Sequence, residues 1–206
     1  MTSRVLGVLG GQFYNPQAVL TWCQAADVII AADSGADLCI ELGIKPIVIG
    51  DMDSVHSDLT GLKVIKIEDQ SKTDCDKLLD WVSDNHPAAD LVLAGVEGDR
   101  LDHILATLGS CARSDLPIRL LLQRGTGQIV RSNSLLSHLG LAGRRVSLMP
   151  IGPCIAGMSG VEWPFEPQPI DLTGFHSVSN VAQDSFLLEV VEGTALLIIE
   201  GHPEPW

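Results

Sequence analysis

Residues Val28–Ser54 read VIIAADSGADLCIELGIKPIVIGDMDS. Val28–Ala31 is a short apolar strand, and Asp33-Ser34-Gly35-Ala36 follows it. Ala36–Leu42 reads as a helix stopped by Gly43. Ile47–Ile49 is a second apolar strand, running into Gly50-Asp51-Met52-Asp53-Ser54. Two apolar strands joined by a helix belong to a parallel sheet, whose connections must cross over a face.

The same alternation extends in both directions. Val5–Leu9 is a strand, and Pro16–Ala26 a helix with Pro near its first turn. Downstream, Val64–Ile67 is a strand. In Thr73–Ser83, Cys75, Leu78, Leu79 and Val82 share one helical face and Thr73 can cap the start. Leu91–Ala94 is a strand, Asp102–Ala112 a helix and Ile118–Leu122 a strand. The pattern predicts an α/β unit over residues 1–125, a mostly parallel sheet covered by helices on both sides.

Near Arg124 the pattern changes to short β-rich runs broken by Gly and Pro: Ile129–Arg131, Arg145–Met149, Ile155–Met158, Phe186–Val191 and Ala195–Ile199. These predict an antiparallel β-sandwich over residues 126–206. Ser134–Leu139 reads as a helical turn and Pro164–Pro169 as a loop within that unit. Residues 113–145 hold six Arg against Asp115 alone, a basic stretch that reads as a bridge between the units.

The chain has 206 residues, with 26 acidic and 13 basic side chains and a net charge of −13. Such a chain has no overall basis for neutralising nucleic-acid phosphates or for adhering to an anionic membrane. Apolar residues make up 46%, enough to bury a core. No apolar run approaches a membrane span, and the start of the chain is too short and glycine-broken to read as a signal peptide. The five cysteines show no CxxC pair, which suits reduced thiols in a cytoplasmic protein. The acid is uneven: residues 1–103 hold 17 acids and 7 bases, a net of −10, and the remainder 9 and 6, a net of −3.

Parallel sheets bind ligands at the carboxyl ends of their strands. Four of those ends here carry acids: Asp33; Asp51 and Asp53; Asp69-Gln70-Ser71-Lys72-Thr73-Asp74; and Gly98-Asp99-Arg100-Leu101-Asp102-His103. Each has a bland explanation as a turn, a helix cap or a dipole partner. Together at equivalent ends they suit a hard divalent cation such as Mg²⁺, which takes oxygen ligands and bridges phosphate oxygens. Asp51 and Asp53, two apart, point the same way on an extended segment. Neither a GxxxxGK[ST] loop nor a GxGxxG fingerprint is present. Gly10-Gly11 is either a plain turn or a close-approach site for phosphates.

The series Asp33-Ser34-Gly35-Ala36, Gly50-Asp51-Met52-Asp53-Ser54, Thr73-Asp74-Cys75-Asp76-Lys77 and Gly98-Asp99-Arg100-Leu101-Asp102-His103 resembles the thiamine pyrophosphokinase family. So do Ser147–Gly152, Gly160-Val161-Glu162-Trp163-Pro164, Gly174 and Ser177-Val178-Ser179-Asn180, so the resemblance covers nearly the whole chain. It departs at Ser34, where the family usually has Gly, at Asp37, often Asn, and at Asp99, commonly a small residue. The resemblance implies an α/β catalytic domain and a thiamine-binding, dimerising β-sandwich. It also implies pyrophosphoryl transfer from ATP to thiamine with Mg²⁺, and a homodimer sharing the substrate site at its interface.

On this reading Asp51, Asp53, Asp74 and Asp102 are the metal ligands, and one carboxylate takes the thiamine hydroxyl proton. Arg100 and Lys77 offset phosphate charge; a salt bridge and a solvated helix face are the competing readings. Asp33 and Gln70 line the nucleotide or substrate pocket. Trp163 stacks on the flat thiamine cation, against a core tryptophan as the alternative. Ser177, Ser179 and Asn180 supply hydrogen bonds to the pyrimidine or to the backbone around it. Two other functions stay open: a pyrophosphokinase acting on a hydroxymethyl pterin, and a non-catalytic nucleotide sensor.

Overall fold

Runs of Val, Ile and Leu bounded by glycine or acid form the strands of the first unit. The computed structural model describes residues 2–13, 15–98, 100–201 and 204–206. In chain order the unit holds β1 (Arg4–Val8), α1 (Pro16–Ala25), β2 (Val28–Ala32), α2 (Gly35–Glu41), β3 (Ile47–Gly50) and β4 (Lys63–Lys66). α3 (Asp74–Asn85), β5 (Asp90–Ala94), α4 (Leu101–Arg113) and β6 (Ile118–Leu122) follow. The strands run in the order β6-β5-β1-β2-β3-β4, and every adjacent pair is parallel. Successive strands move outward from β1 to β4, and the chain then returns to the other side of β1. A switch point therefore lies between β1 and β5, where such sheets open a crevice beyond their carboxyl ends.

Helices cover both faces, as the alternation predicts. Leu6 and Val8 pack with Val19, Trp22 and Cys23 of α1 and with Ala36 and Cys39 of α2. Gly7, between them on the strand, faces Leu78 of α3 instead. α3 is fixed at its start by a reciprocal capping box: Thr73 Oγ1 accepts the Asp76 N–H (3.1 Å) and the Asp76 carboxylate accepts the Thr73 N–H (3.0 Å). The last three residues, Glu204–Trp206, also belong to this unit, which otherwise spans Met1–Gln123. Trp206 sets its ring edge-to-face on Trp22, centroids 5.0 Å apart.

The second unit, Arg124–Pro203, is all β. It comprises β7 (Gly125–Arg131), β8 (Ser134–Leu139), β9 (Arg145–Pro150), β10 (Cys154–Val161), β11 (Phe165–Ile170), β12 (Ser177–Glu192) and β13 (Thr194–Glu200). All pairings are antiparallel. The long β12 serves two sheets: its first part pairs β9, beside β13 and β7, and its later part lies between β8 and β10. Phe186, Leu188 and Val190 fill the sandwich between them with Val146, Leu148, Met158 and Leu197.

Two local expectations are overturned. Ser134–Leu139 is strand β8, not a helical turn. Its Leu136 and His138 point inward and its Leu135 and Leu139 outward, so leucines on both faces conceal the period of two. Pro164–Pro169 is not a loop either, because Phe165–Ile170 is strand β11. It lies at the end of its sheet beside β10, with a register shift between Ala156 and Met158 where Pro167 faces Gly157; sheet edges and bulges are where strands tolerate proline.

Candidate active site

Parallel register places the acids side by side. Ala32 pairs with Ile49, and the Asp33 N–H donates to the Ile49 carbonyl (2.8 Å), so the turns after β2 and β3 leave the sheet together. The carboxylates of Asp33, Asp51 and Asp53 bring one oxygen each to within 4.8 Å of one another. Asp51 and Asp53 do not converge along an extended segment, as the sequence suggests. Met52 between them is left-handed (φ 70°), and the Asp53 N–H donates to Asp51 Oδ1 (3.3 Å), forming a tight turn. Asp33 is itself left-handed (φ 46°). Two such non-glycine residues each hold roughly 1–2 kcal/mol of strain, a cost that concentrates at functional sites. Gly50 precedes the Met52 turn at φ 145°, where a Cβ would lie 3.2 Å from that of Asp33 and 3.3 Å from the Asp74 carboxylate.

Each acid has its own surroundings. Asp33 is 4% exposed, and its Oδ1 has no hydrogen-bond partner among the described residues. Burial and then the nearby Asp74 push its pKa up, while Ser54 opposes through side-chain and backbone hydrogen bonds. Asp33 does not cap α2, whose N-cap position is Ser34. Asp51 is held below the usual carboxylate range, first by Gln70, whose Nε2 donates to Oδ2 at 2.8 Å. Asp53 accepts the Ser54 hydroxyl (2.9 Å). Asp74 lies outside the three-carboxylate group and accepts from Lys77 Nζ at 3.0 Å. Lys77 is 3% exposed and also reaches Asp51 (3.6 Å), which excludes a solvated helix face. Burial pulls its pKa down, but Asp74 and Asp51 outweigh this and the net shift is upward.

A cleft of about 600 Å³ opens beyond β1, β2 and β5, over the switch point. Asp33, Asp74, Arg100, Asp102 and His103 line it, together with Gly10 and Gly11. A Cβ on Gly11 would collide with the carbonyl oxygens of Gly95 and Glu97, so the glycine is required for this loop to lie against the end of β5. Arg100 and Asp102 form a bidentate pair at the start of α4 (2.7 and 3.3 Å), and Asp102 lies in the first helical turn rather than at the cap. Asp99, where the sequence departs from its resemblance, lies outside the described residues. Gln70 does not line this cleft; its contact is with Asp51.

In the second unit, Trp163 is 59% exposed, so it is not a core tryptophan. The buried Asn180 holds its backbone from both sides. Oδ1 accepts the Trp163 N–H (3.1 Å), and Nδ2 donates to the Trp163 carbonyl (2.8 Å) and to Ser177 Oγ (3.3 Å). Ser177 and Asn180 are thus engaged in presenting the indole. Ser179, left-handed at φ 56°, donates its N–H to Ser147 Oγ (2.9 Å).

Sequence reasoning placed Asp33 in a pocket but not among the converging carboxylates; adjacency of the second and third strands was the signal that could have placed it there. The bond from Ser54 to Asp53 accompanies the Met52 turn, whose left-handed backbone leaves no mark in sequence.

Residues 19–120 match the family profile of the thiamin pyrophosphokinase catalytic domain. No curated protein matches the chain by sequence. Among solved structures, thiamin pyrophosphokinase from Candida albicans superimposes with a TM-score of 0.79 at 15% identity, covering 96% of this chain and 89% of that one. Thiamine pyrophosphokinase from Bacillus subtilis does so with a TM-score of 0.75 at 22% identity, covering 97% and 99%. The yeast enzyme gives a TM-score of 0.76 at 17% identity, covering 97% and 86%. These likenesses establish a common fold across both units.

Proposed function

Because the chain belongs to the thiamine pyrophosphokinase family through its residues 19–120, we propose that it transfers a pyrophosphoryl group from ATP to the thiamine hydroxyl. The products are thiamine diphosphate and AMP. The observation that carries this reading is the convergence of Asp33, Asp51 and Asp53 within 4.8 Å, with Asp33 lining the switch-point cleft and Asp51 and Asp53 outside its lining. Three oxygen donors, one of them buried with a bare lone-pair atom, fit a hard divalent cation better than any softer metal. Asp33, Asp51 and Asp53 would hold Mg²⁺, with Asp74 and Asp102 as the further acids. When bound, Mg²⁺ would supply the positive charge that offsets the negative charge developing on the transferred phosphoryl groups.

The chain's own residues do the rest. Gln70 and Lys77 fix Asp51, and Lys77 fixes Asp74, before ATP arrives. Gly10 and Gly11 admit the phosphates close to the backbone. Arg100 exchanges its contact with Asp102 for phosphate oxygens, for which its planar fork is suited. Release of Asp102 leaves it, or Asp74, to accept the proton of the attacking hydroxyl; both line the cleft. Trp163 stacks on the thiamine cation, held in place by Asn180 and Ser177. The chain acts as a cytoplasmic homodimer with the thiamine site at the subunit interface.

Incubation with ATP, Mg²⁺ and thiamine should yield AMP and thiamine diphosphate in equal amounts. Asp51→Asn should abolish AMP formation and leave the far-UV circular dichroism unchanged. AMP formed only with a hydroxymethyl pterin would transfer the assignment to that alcohol. Tight ATP binding without AMP from either substrate would identify a sensor.

A further inference from the structure

Asp37 stands in the first turn of α2, four residues after Asp33 and outside the three-carboxylate group. Its carboxylate serves the loop that follows Asp53. Oδ1 accepts the N–H of Ser57 (2.8 Å) and of His56 (3.1 Å). Oδ2 lies 3.2 Å from the same His56 nitrogen and 3.3 Å from His56 Nδ1. Two backbone donors from adjacent residues converge on one anion, an arrangement that fixes both the position and the direction of the segment. Burial raises the Asp37 pKa, and the donors from Ser57 and His56 outweigh it, leaving the carboxylate below its usual range.

Between Gly50 and Leu59 the loop carries Asp51 and Asp53 around a left-handed Met52. Beyond Asp53 it is held to α2 by residues 56–57, whose N–H groups both donate to Asp37. Loss of the Asp37 contacts leaves Asp51 held by Gln70 and Lys77 but removes the anchor beyond Asp53, so the strained Met52 turn is freer to relax toward right-handed backbone and to carry Asp53 away from Asp33 and Asp51. We propose that Asp37 is a positioning residue for the carboxylate cluster: it clamps the Asp51–Asp53 turn in the form that brings the three carboxylates together, and so sets the affinity for a divalent cation. This rests on the cluster being the cation site of the proposed function.

The test is direct Mn²⁺ binding to the full chain, followed by the electron paramagnetic resonance signal of free Mn²⁺, with no nucleotide and no turnover. Wild type should bind and Asp51→Asn should not. Asp37→Ala should bind about 10-fold more weakly, the scale on which residues behind metal ligands act. Asp37→Asn retains an oxygen that can take both backbone donors and should stay within about twofold of wild type, well below that scale. Should Asp37→Ala fail to fold, Asp37→Leu carries the same expectation. Wild-type affinity in Asp37→Ala, whether or not its unfolding midpoint falls, would overturn the positioning role while leaving the site intact. Equal Mn²⁺ binding by wild type and Asp51→Asn would instead remove the cation site, and the clamp's purpose with it.

Discussion

The Asp33 carboxylate is 4% exposed, with one oxygen unpartnered among the described residues and Asp74 close by. Burial and like charge both oppose ionisation, so in the absence of a cation the side chain works against the fold. Asp33→Asn should raise the ligand-free unfolding midpoint by roughly 2–4 °C, the equivalent of about 1 kcal/mol for a chain of this size, while AMP formation is lost. A fall in midpoint would mean that the carboxylate stabilises the fold. Trp163 presents the opposite case, an exposed aromatic whose backbone is held by a buried amide. Trp163→Ala should raise the thiamine KM roughly 10-fold, the effect of about 1.4 kcal/mol of lost cation–π contact, and leave the ATP KM near its original value. Equal changes in both would make Trp163 structural.

The parallel strands and their helices were legible because each has a short apolar run, a cap or a stop of its own; Thr73 and Gly43 are examples. Acids at the strand ends were legible for the same reason. The turn geometry was not, since left-handed backbone at Met52 and Asp33 has no signature in residue type. The same holds for Asp37, whose partners lie 19 and 20 residues away. Strand β8 carries leucines on both faces, which hides its period of two from the sequence. Its His138 shows what that strand does in the sandwich: the ring stacks on Phe186 (centroids 4.8 Å) and Nε2 has no partner among the described residues. Burial lowers its pKa from 6.5. The folded state therefore prefers the neutral ring, and the stability present above the unfolded pKa is lost as pH falls toward the depressed folded one. Between about pH 7 and about pH 5 the wild-type unfolding midpoint should fall more steeply than that of His138→Phe. Parallel curves would show that His138 does not titrate on unfolding.

Across the whole molecule the charge of −13 is not a uniform coat. Part of the −10 carried by residues 1–103 is the acid at the strand ends, and Lys77 is the buried cation set among it. No helix among the described residues is long and apolar enough to cross a membrane. The chain leaves its first unit after Gln123 and re-enters it at Glu204. Trp206 there covers Trp22, with Arg4 over its own ring and Arg119 over that of Trp22. Trp206→Ala should destabilise the chain by about 1–3 kcal/mol through lost burial and ring contact, read as a lower unfolding midpoint by tryptophan fluorescence. An unchanged midpoint would mean that the last residue contributes nothing to the first unit.

The same contact orders events during synthesis. Translation runs from the amino end, so α1 and its Trp22 are made some 180 residues before the side chain that covers them. Throughout that interval a nascent first unit lacks the edge-to-face cover of Trp206 on Trp22. It reaches its final packing only when the whole second unit has been made, so a ribosome stalled within residues 124–203 holds an incomplete first unit even though all of its strands exist.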